Sequence, residues 1–208
     1  MQSSMPIVSL AMTGASGACY GLRLLECLLE AGGVVYLMIS TPGQVVISME
    51  TEIRLPGRPD RIAEILCERY AAQPGQLQVF GREEWTAPVA SGSSAPDAMV
   101  ICPCTMGTLS AVASGASSNL IERAADVMLK EGRKLVIVPR ETPFSAIHLE
   151  NMLRLARLGV TVLPASPGFY HRPAGIDDLV DFVVARILDQ LEVKHRLLPH
   201  WGEADSRD

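Results

Sequence analysis

The sequence predicts one doubly wound α/β domain: a parallel sheet, Rossmann-like or flavodoxin-like, with helices on both faces. Three observations predict it. Short apolar runs rich in Val, Ile and Leu recur along the chain, and near-continuous apolar strands are what a sheet covered on both faces requires. Segments with apolar residues at helical spacing lie between these runs, so strand and helix alternate. Small and hydroxyl-bearing residues follow several of the strands, as in TGASG at residues 13–17 and CTMGT at 104–108, and ligands of such sheets sit beyond the carboxyl ends of the strands.

The elements follow in order. Ile7 to Met12 reads as a strand, ending in the turn Thr13-Gly14-Ala15-Ser16-Gly17. Tyr20 to Ala31 reads as a helix, with Leu24, Leu25, Leu28 and Leu29 at helical spacing. Val34 to Ile39 is a strand ending at Ser40, and a helix from about Gly43 to Thr51 comes next. RLPGRPD is a Pro/Gly-rich loop, and Arg61 to Ala71 is another helix. Residues 73–96, rich in Gly, Ser and Pro and containing Trp85, read as irregular. Met99 to Cys102 is a short buried strand; helices at Thr105 to Ala113 and Leu120 to Lys130 flank the small-residue stretch SGASSN. Leu135 to Val138 is a strand, Ala146 to Arg157 a helix and Val160 to Leu163 a strand. The last helix, about Ile176 to Leu191, places Ile176, Leu179, Val180, Val183, Val184, Ile187 and Leu191 on one stripe. Residues 1–191 thus form the domain. Residues 192–208 form a polar tail, whose Trp201 is expected to contact a neighbouring subunit.

Composition narrows the function classes. The chain has 208 residues, 48% hydrophobic but only 5% aromatic, so the core must be aliphatic. A net charge of −5 argues against general nucleic-acid binding and leaves room for a local basic pocket. No apolar run approaches the ~18 residues of a membrane span, and the N-terminus lacks the positive segment of a signal peptide. The five cysteines have no disulfide spacing, and the pair Cys102 and Cys104 lacks further partners for zinc. A cytoplasmic protein with reduced thiols is expected.

Several residues are candidates for chemistry. The glycines of TGASG permit a tight turn before a helix N-terminus, which can receive an anion; Ser16 either caps that helix or contacts a ligand. Ser40, Thr105 and Thr108 put hydroxyls at two further strand ends, suited to capping or to a nucleotide-like ligand. Arg123 and Lys130 lie two turns apart on one helix face; either they form a solvated face with Asp126 between them as an ordinary pairing partner, or they face the strand ends and join Arg140 in a phosphate site. Beyond the strand at 135–138, Arg140 and Glu141 stand where a doubly wound fold places its site. The run Asp177-Asp178-x-x-Asp181 has the spacing of a magnesium–diphosphate motif, but it opens a helix with no second aspartate-rich segment, and favourable charge at the helix N-terminus explains it.

TGASGACYGLRLL, ASGSSAPDAMVICPCTMGTLSAVASG, NLIERAADVMLKEGRKLVIVPRETPFS and PGFYHRP, in this order, resemble the UbiX-type flavin prenyltransferases over about residues 7 to 203. The resemblance implies transfer of a dimethylallyl group from dimethylallyl monophosphate to N5 and C6 of reduced FMN, without a metal. It also implies a homo-oligomer, usually a dodecamer, whose product serves a UbiD-type decarboxylase, as in ubiquinone biosynthesis. Carried onto matching positions, FMN would meet Gly14, Ala15, Ser16, Ser40, Thr105, Met106, Gly107, Thr108 and Arg140. The prenyl phosphate would meet Lys130, Arg140, Glu141, Tyr170 and Arg186, with Arg123 nearby. Ser16 and Glu50 would handle protons beside the flavin, and Trp85 and Trp201 would wall the prenyl pocket. Thr105 stands where many relatives have Ser, which retains the hydroxyl. Two other readings share the fold: an FMN-dependent cysteine-decarboxylase-type flavoprotein and a non-catalytic flavin carrier. The first lacks its histidine and its P-x-M-N-x-x-M-W motif here, where the corresponding stretches read TGASGACYG and VPRETPFS.

Charge makes the implied reaction intelligible. Breaking an allylic C–O bond leaves a phosphate anion and a delocalised cation. Lys130, Arg140 and Arg186 would neutralise the anion, and Glu141 would exchange a proton with it. The aromatic faces of Trp85 and Tyr170 would attract the cation, and water must be kept out.

Overall fold

In the computed structural model of the chain, residues 6–198 are described. Trp201 and the tail from residue 199 lie outside them. The apolar runs form six parallel strands: β1 (Ile7–Met12), β2 (Val34–Ile39), β3 (Leu77–Phe80), β4 (Ala98–Cys104), β5 (Lys134–Pro139) and β6 (Thr161–Val162). Their order is β3-β2-β1-β4-β5-β6. This is the doubly wound order of dinucleotide-binding sheets, with the connections diverging on either side of the β1/β4 pair. Seven α-helices complete the described residues: α1 (Ala18–Glu30), α2 (Thr41–Glu50), α3 (Pro59–Arg69), α4 (Met106–Ser114), α5 (Leu120–Lys130), α6 (Ala146–Arg157) and α7 (Ile176–Gln190).

Alternation along each strand divides the interior in two. On one face Leu10, Leu37, Val100 and Val136 pack against α1, α3 and α7; on the other Ala11, Met38, Ile101 and Ile137 pack against α4, α5 and Leu155 of α6. Gly21 lets α1 lie close to the sheet: a Cβ there would come within 2.7 Å of Met12 Cε and closer still to the Cys102 carbonyl. Cys102 and Cys104 are fully buried, and desolvation pushes both thiols up.

Two expectations are corrected. The stretch at 73–96 holds an edge strand at 77–80 and two 3₁₀ turns, Pro88–Ala90 and Gly92–Ser94. It then descends beside α5: the Arg82 carbonyl accepts from Leu120 N–H at 2.8 Å, and Ala90 faces Arg123. Ile176 is not part of the buried stripe of α7; it is 76% exposed, whereas Val180, Val183, Val184 and Ile187 are buried. The first turn of α7, Ile176 to Asp178, is exposed.

Candidate active site

The carboxyl ends of β1, β2, β4 and β5 gather most of the expected flavin-side residues. Thr13, buried at the end of β1, ties β1 to β4. Its hydroxyl donates to the Pro103 carbonyl at 2.8 Å and accepts from Thr105 N–H at 2.9 Å. Its role escaped the sequence reading, because a threonine in a turn signals only a cap. Ser40 caps α2, accepting from Gly43 N–H at 3.0 Å. Thr105 caps α4, accepting from Thr108 N–H at 3.1 Å and donating to the Thr108 hydroxyl at 3.0 Å. The hydroxyls at Ser40 and Thr105 therefore cap helices, and a Cβ at Gly107 would lie 3.9 Å from the Thr105 hydroxyl.

At the first turn an internal carboxylate takes the place expected for a ligand anion. Glu50, the last residue of α2, accepts from Gly17 N–H at 2.9 Å and from Ala18 N–H at 2.8 Å, at the start of α1. Gly17 holds φ at 106°, a conformation that suits glycine and aims these N–H groups at the carboxylate. Burial raises the Glu50 pKa. The Ser16 hydroxyl, the Ala18 and Gly17 N–H groups and the Arg140 charge outweigh that and hold it below its ordinary value. Arg140, just past β5, donates through Nε to the Ser16 carbonyl at 3.2 Å. Ser16, Glu50 and Arg140 thus form one cluster, beside which Glu141 accepts from Thr142 N–H at 3.1 Å.

The phosphate-side set is not brought together by one chain. Lys130 ends α5, four residues before β5 begins, and pairs with Glu131 against Gly92. It lies at the amino edge of the sheet, whereas Arg140 follows the carboxyl edge. A strand of this length separates them by about 20 Å, too far to share one phosphate. Arg186 lies in the second half of α7 and pairs with Asp189 at 2.7 Å. Arg123, one turn into α5, donates to the Ala90 carbonyl at 3.0 Å and to Asp126 at 2.9 Å. Tyr170, in the β6–α7 connection, is 65% exposed and stands edge-on to Phe182 at 5.7 Å between centroids. Trp85, past β3, is 48% exposed. Of the aspartate run, Asp178 accepts from Ala174 N–H at 2.6 Å and Asp181 pairs with Arg23 at 2.8 Å.

Residues 1–188 match the flavoprotein family. The flavin prenyltransferase UbiX of Pseudomonas aeruginosa is 61% identical over 94% of each chain, and that of Halalkalibacterium halodurans is 51% identical over 95% of this chain and 94% of its own. Among solved structures, AnUbiX (PadA1) in complex with FMN and dimethylallyl pyrophosphate superposes with a TM-score of 0.86 at 37% identity, covering 97% of this chain and all of that one. A dodecameric FMN-dependent UbiX-like decarboxylase from Escherichia coli O157:H7 gives 0.84 at 39% identity, covering 95% of this chain and all of its own. The cysteine decarboxylase TvaF shares the fold alone, at 15% identity. The chain belongs to the flavoprotein family and, within it, to the UbiX-type flavin prenyltransferases.

Proposed function

We propose that the chain transfers a dimethylallyl group from dimethylallyl monophosphate to N5 and C6 of reduced FMN, supplying the prenylated flavin to a UbiD-type decarboxylase. The observation that carries the reading is the Ser16–Glu50–Arg140 cluster beside the first turn of α4, in a chain so similar to named flavin prenyltransferases. The donor set fits a phosphate-bearing flavin. The hydroxyls of Ser40, Thr105 and Thr108 lie at the ends of β2 and β4, on either side of β1, and a Cβ at Gly107 would lie 3.9 Å from the Thr105 hydroxyl. The first N–H groups of α4 have no carbonyl partner within the helix. Arg140 adds positive charge, and Ala15 and Met106 add apolar surface.

Reduced flavin supplies the nucleophilic N5 and C6 when bound. The protein's work is to position, to neutralise and to move protons. Ser16, hydrogen-bonded to Glu50, would pass a proton between that carboxylate and N5. Arg140 and Glu141 would meet the leaving phosphate oxygen. Lys130 of one chain stands too far from its own Arg140 to help, and the end of α7 that carries Arg186 meets Lys134 at the start of β5, so both would serve the site of an adjoining copy in an oligomer like the dodecameric relative. Exposed apolar side chains support such assembly: Ile147, Leu149, Leu153 and Leu158 are each at least 50% exposed along α6 and its end. Among the described residues no helix is long and apolar enough to cross a membrane, and the free cysteines suit the cytoplasm.

Incubation with reduced FMN and either dimethylallyl monophosphate or the diphosphate, followed by mass spectrometry of the flavin, tests the reading. Prenylated flavin is expected, with the monophosphate preferred. Unchanged flavin with both donors would refute it, and release of carbon dioxide from a peptidyl cysteine would favour the decarboxylase reading.

A further inference from the structure

A second group of charged side chains sits at the end of α7. Arg186 donates through Nη1 to Asp189 Oδ2 at 2.7 Å, and His195 Nε2 donates to the other oxygen, Oδ1, at 3.0 Å. Side-chain exposure falls from 55% at Arg186 to 29% at Asp189 and 11% at His195. The guanidinium is therefore outermost, with the carboxylate behind it and the imidazole innermost. The chain turns back to make this arrangement. Glu192 adopts a left-handed φ of 58°, a conformation uncommon for a residue with a Cβ. Val193 N–H donates to the Leu188 carbonyl at 3.0 Å, and Lys134 Nζ, from the start of β5, donates to the Gln190 carbonyl at 2.6 Å.

An ordinary i,i+3 surface pair needs no such support, and its partners separate freely. Here one edge of the guanidinium is held by a carboxylate that is itself held from behind. The Nε and Nη2 donors of Arg186 have no hydrogen-bond partner among the described residues. An arginine held on one side loses less conformational freedom when an anion binds the other, and the planar fork presents parallel donors to a phosphate.

We infer that Asp189, anchored by His195, is the positioning residue that fixes Arg186 for the phosphate of the prenyl donor. The inference rests on the proposed role of Arg186 in holding that phosphate. In Asp189→Asn the amide nitrogen can face the guanidinium, and the charge that holds Arg186 is gone in either orientation.

Steady-state kinetics at saturating reduced FMN, with dimethylallyl monophosphate varied, decide the matter. Asp189→Asn is expected to raise KM for the donor about tenfold, equivalent to one misdirected charge-assisted hydrogen bond. Its kcat, FMN affinity and melting temperature should stay close to those of the unaltered protein. His195→Leu should raise KM in the same way, whereas His195→Gln, which keeps a side-chain N–H donor, should restore it. Arg186→Ala combined with Asp189→Asn should be no worse than Arg186→Ala alone. If Arg186→Ala raises KM and Asp189→Asn does not, the positioning inference fails. If Arg186→Ala itself leaves KM unchanged, the role of Arg186 fails and takes the inference with it. Should Asp189→Asn melt early, the two His195 variants still decide: equal KM values for Leu and Gln overturn the proposal.

Discussion

Glu50→Gln separates the two jobs assigned to the carboxylate at the first turn. Its oxygens accept from Gly17 N–H at 2.9 and 3.2 Å and from Ala18 N–H at 2.8 Å, and the Ser16 hydroxyl adds a further donor. A glutamine keeps one oxygen and turns its amide nitrogen toward a donor, so at least one of these bonds is lost together with the charge. A charge-assisted hydrogen bond contributes roughly 1.5–3 kcal/mol, and an anion at a helix N-terminus about 0.3–1 kcal/mol. Glu50 is exposed, and solvent screening leaves about 1 kcal/mol. For a domain of this size that is a fall in melting temperature of roughly 2–4 °C. The sign with pH is fixed by linkage. The folded pKa lies below the ordinary value of 4.5, so the stabilisation is fully present above that value and is lost as pH falls through the folded pKa. Thermal melts of the flavin-free protein and of Glu50→Gln should therefore differ at neutral pH and converge in acid. Equal melting temperatures at neutral pH, or a gap that persists undiminished in strong acid, would refute the placement. Turnover is a separate readout: if Glu50 also relays the proton, the variant slows prenylation even where it is fully folded.

Glu141→Gln should retain flavin binding, measured by absorbance, and lose turnover; unaltered turnover would remove its proton role. Gly21→Ala should destabilise the fold by about 1–3 kcal/mol, seen in urea denaturation, because the added methyl meets the Cys102 backbone and α1 must lift from the sheet. EDTA should leave the prenylation rate unchanged, since arginine and lysine side chains are expected to neutralise the monophosphate; a strict magnesium requirement would return attention to the aspartates opening α7.

The long strands were legible because burial on both faces demands near-continuous apolar runs, and β1, β2, β4 and β5 have them. β3 was not. It is four residues long, Leu-Gln-Val-Phe, at the edge of the sheet and in a stretch dominated by Gly, Ser and Pro, so neither length nor periodicity distinguishes it from a loop. The hydroxyls at Ser40 and Thr105 were visible as strand-end residues, and their capping geometry follows from chemistry that is local. Glu50 is different. It meets Gly17 across 33 residues of sequence, and no local pattern announces that contact; only the family resemblance pointed to it. Lys130 is different again. A helix that feeds a parallel strand must end at the strand's amino edge, so its distance from Arg140 was implicit in the topology, but helical spacing reports only which face a side chain shares.

The first turn of a doubly wound sheet is commonly an anion site, because free N–H groups and the helix dipole converge there. In this chain α2 removes that possibility. A Cβ on Gly14 would overlap the Pro42 ring, and one on Gly43 would come within 2.8 Å of the Met12 carbonyl. The two glycines thus let the start of α2 lie directly on the turn. α2 is short and ends close enough for Glu50 to reach the first N–H groups of α1. While Glu50 is ionised, a ligand phosphate at that helix end would face both an occupied donor set and a like charge. The donors left at this edge are the first turn of α4, the hydroxyls of Ser40 and Thr105, and Arg140. The turn that resembles a phosphate cradle in sequence is therefore suited to holding a carboxylate beside a serine hydroxyl, which is the equipment proposed for moving a proton, and the proposed anion site is at the neighbouring strand ends.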